Sequence, residues 1–73
     1  MKKSYPIEID CVNCANKVEA AVQKVPGVKA LNINFMAQKM TVEFEPDVNT
    51  AQVLRDILRV GQRIESDFSI EGV

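Results

Sequence analysis

At 73 residues the chain has room for one small domain with a single core of marginal size. An apolar fraction of 47% suffices for such a core and excludes a disordered polar chain. Lys plus Arg (9) against Asp plus Glu (10) leaves a net charge of -1, without the basic footprint of a nucleic-acid binder. No apolar run approaches the roughly 18 residues needed to cross a bilayer, so direct membrane insertion is not expected. Met1-Lys2-Lys3-Ser4 runs into a segment broken by Pro6 and charged at Glu8, so no secretory signal is expected. The expected compartment is the cytoplasm, where thiols stay reduced.

Tyr5, Ile7 and Ile9 alternate with Pro6, Glu8 and Asp10 and predict a first strand with one buried face. Pro6 has no backbone donor, so it belongs near the strand start or where no ladder bond is needed. From Cys14 to Val25 the period turns helical. Val18, Ala21, Val22 and Val25 share a stripe, Lys17, Glu19, Gln23 and Lys24 face water, Asn13 is placed to cap, and Pro26-Gly27 stops the helix. Val28 to Asn34 reads as a second strand with Leu31 and Ile33 inward, and Phe35 to Lys39 as a turn. Met40, Val42 and Phe44 give a third strand ended by Pro46-Asp47. Asn49 or Thr50 can cap a second helix, with Val53, Leu54, Ile57 and Leu58 on its apolar face and Gly61 at its end. Phe68 and Ile70 suggest a short last strand. The order βαββαβ is the ferredoxin-like, α+β arrangement, with two helices on one face of a four-stranded antiparallel sheet, and residues 1–73 form one domain.

The chemistry lies between the first strand and first helix. Asp10-Cys11-Val12-Asn13-Cys14 holds both cysteines, with two residues between them and a carboxylate directly before the first. Such thiols can grip one soft metal ion or close a small disulfide, and the aspartate adds a hard oxygen donor. A helix N-terminus has unpaired N–H groups and a positive dipole end, which lower thiol pKa values and favour the metal-binding thiolate. A closed structural zinc site wants four protein ligands, and the chain has no histidine and no third cysteine. Two inert buried cysteines, and a Cys-x-x-Cys redox pair with Val-Asn where such pairs usually carry Gly-Pro or Pro-Tyr, are the competing readings. The absence of histidine also leaves no Ser/His/Asp or Cys/His catalytic set, so an enzyme is not expected. The sheet lacks the paired aromatics of an RNA reader.

Ile9-Asp10-Cys11-Val12-Asn13-Cys14 with Lys17-Val18-Glu19 resembles the heavy-metal-associated domain, whose motif is Gly-Met-x-Cys-x-x-Cys. Val25-Pro26-Gly27-Val28 with Leu31-Asn32-Ile33-Asn34, Val42-Glu43-Phe44-Glu45-Pro46, and Leu54, Ile57 and Gly61 extend the resemblance through nearly the whole chain. It implies a metal-binding module that serves a heavy-metal-transporting P-type ATPase, in the same polypeptide or on another. It also implies Cys11 and Cys14 as metal ligands. The expected state is a monomer, and an open coordination position lets two molecules share one ion at high concentration. Glu8-Ile9 stands where the family has Gly-Met, and Gln62 where copper-handling members often have tyrosine. Asp10 replaces the threonine common before the first cysteine in copper-handling members. That resembles the zinc/cadmium/lead branch, in which this aspartate is an oxygen ligand.

Physical reasoning points the same way. Cu(I) is content with two thiolates, whereas Zn(II) and Cd(II) prefer more ligands and accept carboxylate oxygen. The expected cargo is therefore Zn(II) or Cd(II), with Pb(II) next, held by Asp10, Cys11 and Cys14. Cu(I) is the alternative cargo and a thiol redox module the alternative class. The competing role for Asp10 is a solvated carboxylate near the helix start. Glu8 reads as a solvated strand residue before an extra oxygen donor, and Met36 and Met40 as core or turn packing before soft ligands. Arg59 and Arg63 read as exposed helix-end residues before neutralisers of the metal loop.

Overall fold

A computed structural model describes residues 2–73. Its elements run β1 (Lys2–Glu8), α1 (Val12–Val22), β2 (Val28–Asn34), β3 (Lys39–Phe44), α2 (Thr50–Ile64) and β4 (Ser69–Ile70). The sheet order is β2-β3-β1-β4, all neighbours antiparallel, which is the ferredoxin-like arrangement expected from the hydrophobic pattern. Among the described residues no helix is long and apolar enough to cross a membrane.

Alternation sorts the strands into faces. Met40, Val42 and Phe44 all point inward and are buried, as are Ile7 and Leu31, while Ile33 on the edge strand β2 is half-buried. From the helices come Ala15, Val18 and Val22 of α1 and Val53, Leu54 and Ile57 of α2. Among the described residues no polar or charged side chain is buried with them. Each fully buried Phe, Met or Ile here is worth about 1.5–3 kcal/mol by area removed from water.

Pro6 lies inside β1, where the ladder to β3 ends at the Pro6–Lys39 pair and the ladder to β4 begins at Ile7. It thus occupies the changeover between partners, and its carbonyl still accepts from Glu71 N–H at 2.9 Å. On the other flank, Glu19 leaves its expected place in water. It is half-buried and accepts the Ile33 N–H at 2.6 Å, satisfying a backbone donor of β2 that has no neighbouring strand.

Both helix ends of α1 differ from the pattern reading. The helix begins at Val12, with Cys11 as its N-cap instead of Asn13, and ends at Val22. Lys24 and Val25 then close tight turns onto Ala21 and Val22, before Gly27 takes a left-handed φ of 97°. Asn49 caps α2 as expected, its Oδ1 accepting from Gln52 N–H at 3.2 Å.

Gly61 does not end α2, which continues through Ile64. Its missing side chain is a packing requirement. A Cβ there would lie 2.5 Å from Phe68 Cδ2 and 3.3 Å from Val18 Cγ1. The extra turn carries α2 past the buried Phe68 to the end of the sheet where β1 finishes.

Candidate metal centre

Antiparallel pairing brings three connections to one end of the sheet. β1 ends there and enters the cysteine loop. β3 starts there, so the β2–β3 turn is adjacent. β4 starts there too, with Ser69 opposite Glu8, which brings in the α2–β4 loop.

The first of these is anchored by the second. Gln38, at the close of the β2–β3 turn with a left-handed φ of 52°, accepts the Ile9 N–H on its Oε1 at 2.9 Å and donates from Nε2 to the Phe35 carbonyl at 2.8 Å. Its own carbonyl accepts from Ile7 N–H at 2.9 Å. Ile9 itself is buried, filling the place beneath the cysteine loop. The base of that loop is therefore held on both its backbone and its apolar side.

Above this base, Cys11 and Cys14 are free thiols, both half-buried. Cys11 Sγ accepts the Cys14 backbone N–H at 3.4 Å, and the Cys11 carbonyl accepts Ala15 N–H at 2.8 Å to start the helix. Asp10 is exposed and its carboxylate makes no hydrogen bond or ion pair among the described residues.

The thiols are not equivalent. The Cys14 backbone N–H, then the Cys14 thiol, hold the Cys11 pKa below the ordinary thiol value. Cys14 is pushed up to about 11, first because it donates to Cys11 and second because it donates to the Glu65 carboxylate. The helix N-terminus thus favours a thiolate at Cys11 only, a correction to the expectation that placement there lowers both. The second thiol is spent as a donor, and the N–H groups of one short turn serve one sulfur.

Glu65 is a residue beside the cysteines that the pattern reading missed, and its carboxylate helps to raise the Cys14 pKa. It is the C-cap of α2, its N–H donating to the Gly61 carbonyl at 2.9 Å, and its carbonyl accepts from Phe68 N–H at 3.0 Å. The available signal is topological: a last strand pairing with the end of β1 must be entered from a loop beside the cysteines, and that loop is Glu65-Ser66-Asp67.

Other candidates separate. Glu8 is exposed at the end of β1. Arg63 lies exposed in the last turn of α2, whereas Arg59 pairs with Asp56 at 3.0 Å and lies beside Val25 and Pro26 towards the other end of α1. Met40 is core. Met36 is 90% exposed on the β2–β3 turn, so it does not provide the packing expected of it. Among the described residues no three His, Cys, Asp or Glu side chains converge on one point. Exposed or half-buried side chains at this end must therefore rotate to enclose an ion.

Known proteins share this arrangement. A profile of the heavy-metal-associated domain matches residues 7–61. Copper-transporting ATPase 2 of Rhizobium meliloti is 36% identical over 66 residues, and the zinc/cadmium/lead-transporting P-type ATPase of Escherichia coli 32% over 63, each match covering 86% of this chain. The chain spans only 8% of the length of either ATPase. A solution structure of copper-bound CopA from Bacillus subtilis superposes with a TM-score of 0.71, covering 100% of this chain and 93% of that one. At 21% identity it speaks for the fold alone. The chain belongs to the heavy-metal-associated domain family, whose members bind heavy metals and occur in heavy-metal P-type ATPases and in chaperones.

Proposed function

We propose that residues 1–73 act as one metal-binding and metal-passing domain, in which Cys11 and Cys14 hold a soft divalent ion and Asp10 supplies a third, oxygen ligand. Zn(II) and Cd(II) are the favoured cargo, with Pb(II) next. The observation that carries the reading is the pairing of two half-buried thiols at the start of α1 beside an exposed, unpartnered carboxylate. Two thiolates and a carboxylate are a mixed donor set that suits Zn(II) and Cd(II) better than Cu(I).

Two features of the loop bear on the mechanism. The base is fixed by Ile9 and Gln38, so the loop presents its donors in a defined place. The donors themselves are accessible, so an incoming ligand reaches the ion from solvent. Binding discharges the Cys14 proton, because that thiol is protonated at neutral pH. Release proceeds by replacing one donor at a time with those of the acceptor, with no free ion formed. The acceptor is a heavy-metal P-type ATPase, of which this domain is a part or to which it delivers. Neither step makes or breaks a covalent bond of a substrate, so the domain is not an enzyme.

Titration of the reduced protein with Zn(II), Cd(II) or Cu(I) tests this. One ion should bind per chain with proton release and loss of reactive thiols. Asp10→Ala should weaken Zn(II) by about tenfold, the scale seen when a metal-site partner is removed, and leave Cu(I) within about twofold. An unchanged Zn(II)-to-Cu(I) preference removes Asp10 from the ligand set. A Cu(I) cargo is the second reading, favoured by the higher identity to a copper-transporting ATPase, 36% against 32% for the zinc/cadmium/lead transporter.

A further inference from the structure

The two edges of the sheet are finished differently. On β2, Glu19 reaches from α1 and accepts the Ile33 N–H at 2.6 Å, so that edge is partly closed. On the opposite side, β4 pairs with β1 only at Ile7 and Glu8, and one further bond runs from Glu71 N–H to the Pro6 carbonyl at 2.9 Å. Gly72, at a left-handed φ of 83°, then turns the chain off the edge, and Val73 N–H closes on the Ile70 carbonyl at 3.2 Å. Ile7 N–H points to the β3 side and bonds Gln38, whereas the Pro6 carbonyl points to the β4 side. By the antiparallel alternation, the N–H and C=O of Ser4 also point to the β4 side, and those of Lys2 after them. Among the described residues no strand meets Ser4 there.

Between α2 and the diverted Gly72-Val73 lies a groove of about 510 Å³. Glu71 is bonded to β1, so the groove borders the free edge. Leu54, Leu58 and Val73 give it apolar walls, and Arg55 and Arg59 give it positive charge. Arg59 is paired with Asp56, but Arg55 has no ion pair among the described residues. Lys3 is exposed and shares the helix-side face of β1 with Tyr5 and Ile7. The acidic groups near this edge, Glu8 and Glu71, lie on the other face.

We propose that the free edge of β1 and this groove form a docking site for an extended, acidic segment of a partner protein. The segment adds as a fifth strand, in line with β4 and antiparallel to β1. Main-chain bonds at Ser4 and Lys2 supply affinity, and side chains at alternate positions supply selectivity. Opposed residues of an antiparallel pair share a face. The position opposite Tyr5 therefore takes an apolar side chain. The position opposite Lys3 takes a carboxylate, favoured by Lys3 on the strand and Arg55 on the helix. A second copy of this chain is a poorer occupant, because pairing two β1 edges about a two-fold axis sets the two Lys3 side chains against each other. The site lies at the other end of β1 from the cysteines, so docking leaves the metal donors free.

The test titrates the isotope-labelled full chain with two end-blocked peptides, Val-Thr-Glu-Thr-Val and Val-Thr-Lys-Thr-Val, and follows it by NMR. The glutamate peptide should bind about tenfold more tightly than the lysine peptide. It should shift the Leu58 methyl resonances and protect the Ser4 amide from hydrogen exchange. Arg55→Glu, an exposed change, should weaken binding about fivefold. Ser4→Pro removes the N–H turned to the incoming strand and breaks no bond to β3, so it should abolish binding in a chain whose thermal unfolding shows it folded. If that variant does not fold, Arg55→Glu and Ser4 protection still decide. Equal affinity for the two peptides, or no binding at millimolar peptide, overturns the proposal. So does a Ser4 amide that stays unprotected while residues around Arg55 shift, which is charge attraction without strand addition. A peptide-free dimer in sedimentation with Ser4 already protected also overturns it, by giving the edge to a second copy.

Discussion

Between the helices and the sheet every buried side chain is apolar, whereas at the cysteine end the connections are tied by polar side chains reaching to backbone. Gln38 holds Ile9, Cys11 holds Cys14, Gln62 Nε2 donates to the Phe68 carbonyl at 3.1 Å, and Glu65 holds Asp67. Apolar packing is non-directional and tolerates small shifts in where a side chain sits. Hydrogen bonds have a direction, and they fix where a loop starts and stops while leaving its outer side chains free to move. A metal-passing site needs that second construction: a fixed base and mobile donors.

Phe68 belongs to both regions, and its removal should have the largest effect. It is fully buried, fills the space left by Gly61, and its carbonyl anchors Gln62. Phe68→Ala should cost about 3–5 kcal/mol. That is most of the stability available to a domain of this size. Thermal or denaturant unfolding measures it. A variant that unfolds like wild type would mean that the α2–β4 connection is not part of the core.

The two regions also differ in how much of them can be read from the chain. Met40, Val42 and Phe44, or Val53, Leu54 and Ile57, announce their burial by periodicity, because strand and helix repeats act locally. Val28 to Asn34 is a strand over the same bounds in pattern and structure. The cysteine pair is likewise visible, since its two thiols are three positions apart. Gln38 and Glu65 are not, because their roles depend on sheet register and helix direction, which bring residues 29 and 51 positions from Ile9 and Cys14 to the same end. Gly61 shows a different limit. A glycine late in a helical pattern signals a stop on conformational grounds, but here it answers to the bulk of a ring seven residues on.

Gln38→Asn separates the regions more finely. Asparagine tolerates the left-handed backbone at this position but is one methylene shorter, so it releases the Ile9 N–H. The expected cost is about 1 kcal/mol. Amide hydrogen exchange should show protection lost at Ile9 and through the cysteine loop, with the amides of β3 and α2 changing only by the global destabilisation. Uniform loss of protection would mean that the loop base and the core open as one unit, and the distinction between the regions would fail.

The smallest expected effect lies within the site and concerns which thiol reacts first. Alkylation requires the thiolate. Cys11 has its pKa lowered, so its thiolate is present at lower pH; Cys14, at about 11, keeps its proton through pH 7–9. Initial rates of iodoacetamide labelling, read by mass spectrometry of each cysteine peptide, should therefore favour Cys11 across that range, and the preference should narrow as pH rises towards 11. Glu65→Gln should narrow it as well. That substitution removes the carboxylate whose hydrogen bond and charge both favour the protonated Cys14, while the larger cause, donation to Cys11, stays in place. Partial narrowing is thus the informative outcome. Equal rates in wild type would mean that the hydrogen bonds at the start of α1 do not distinguish the two sulfurs. An unchanged preference in the variant would mean that α2 has no electrostatic hold on the cysteine pair, leaving the site the work of one loop alone.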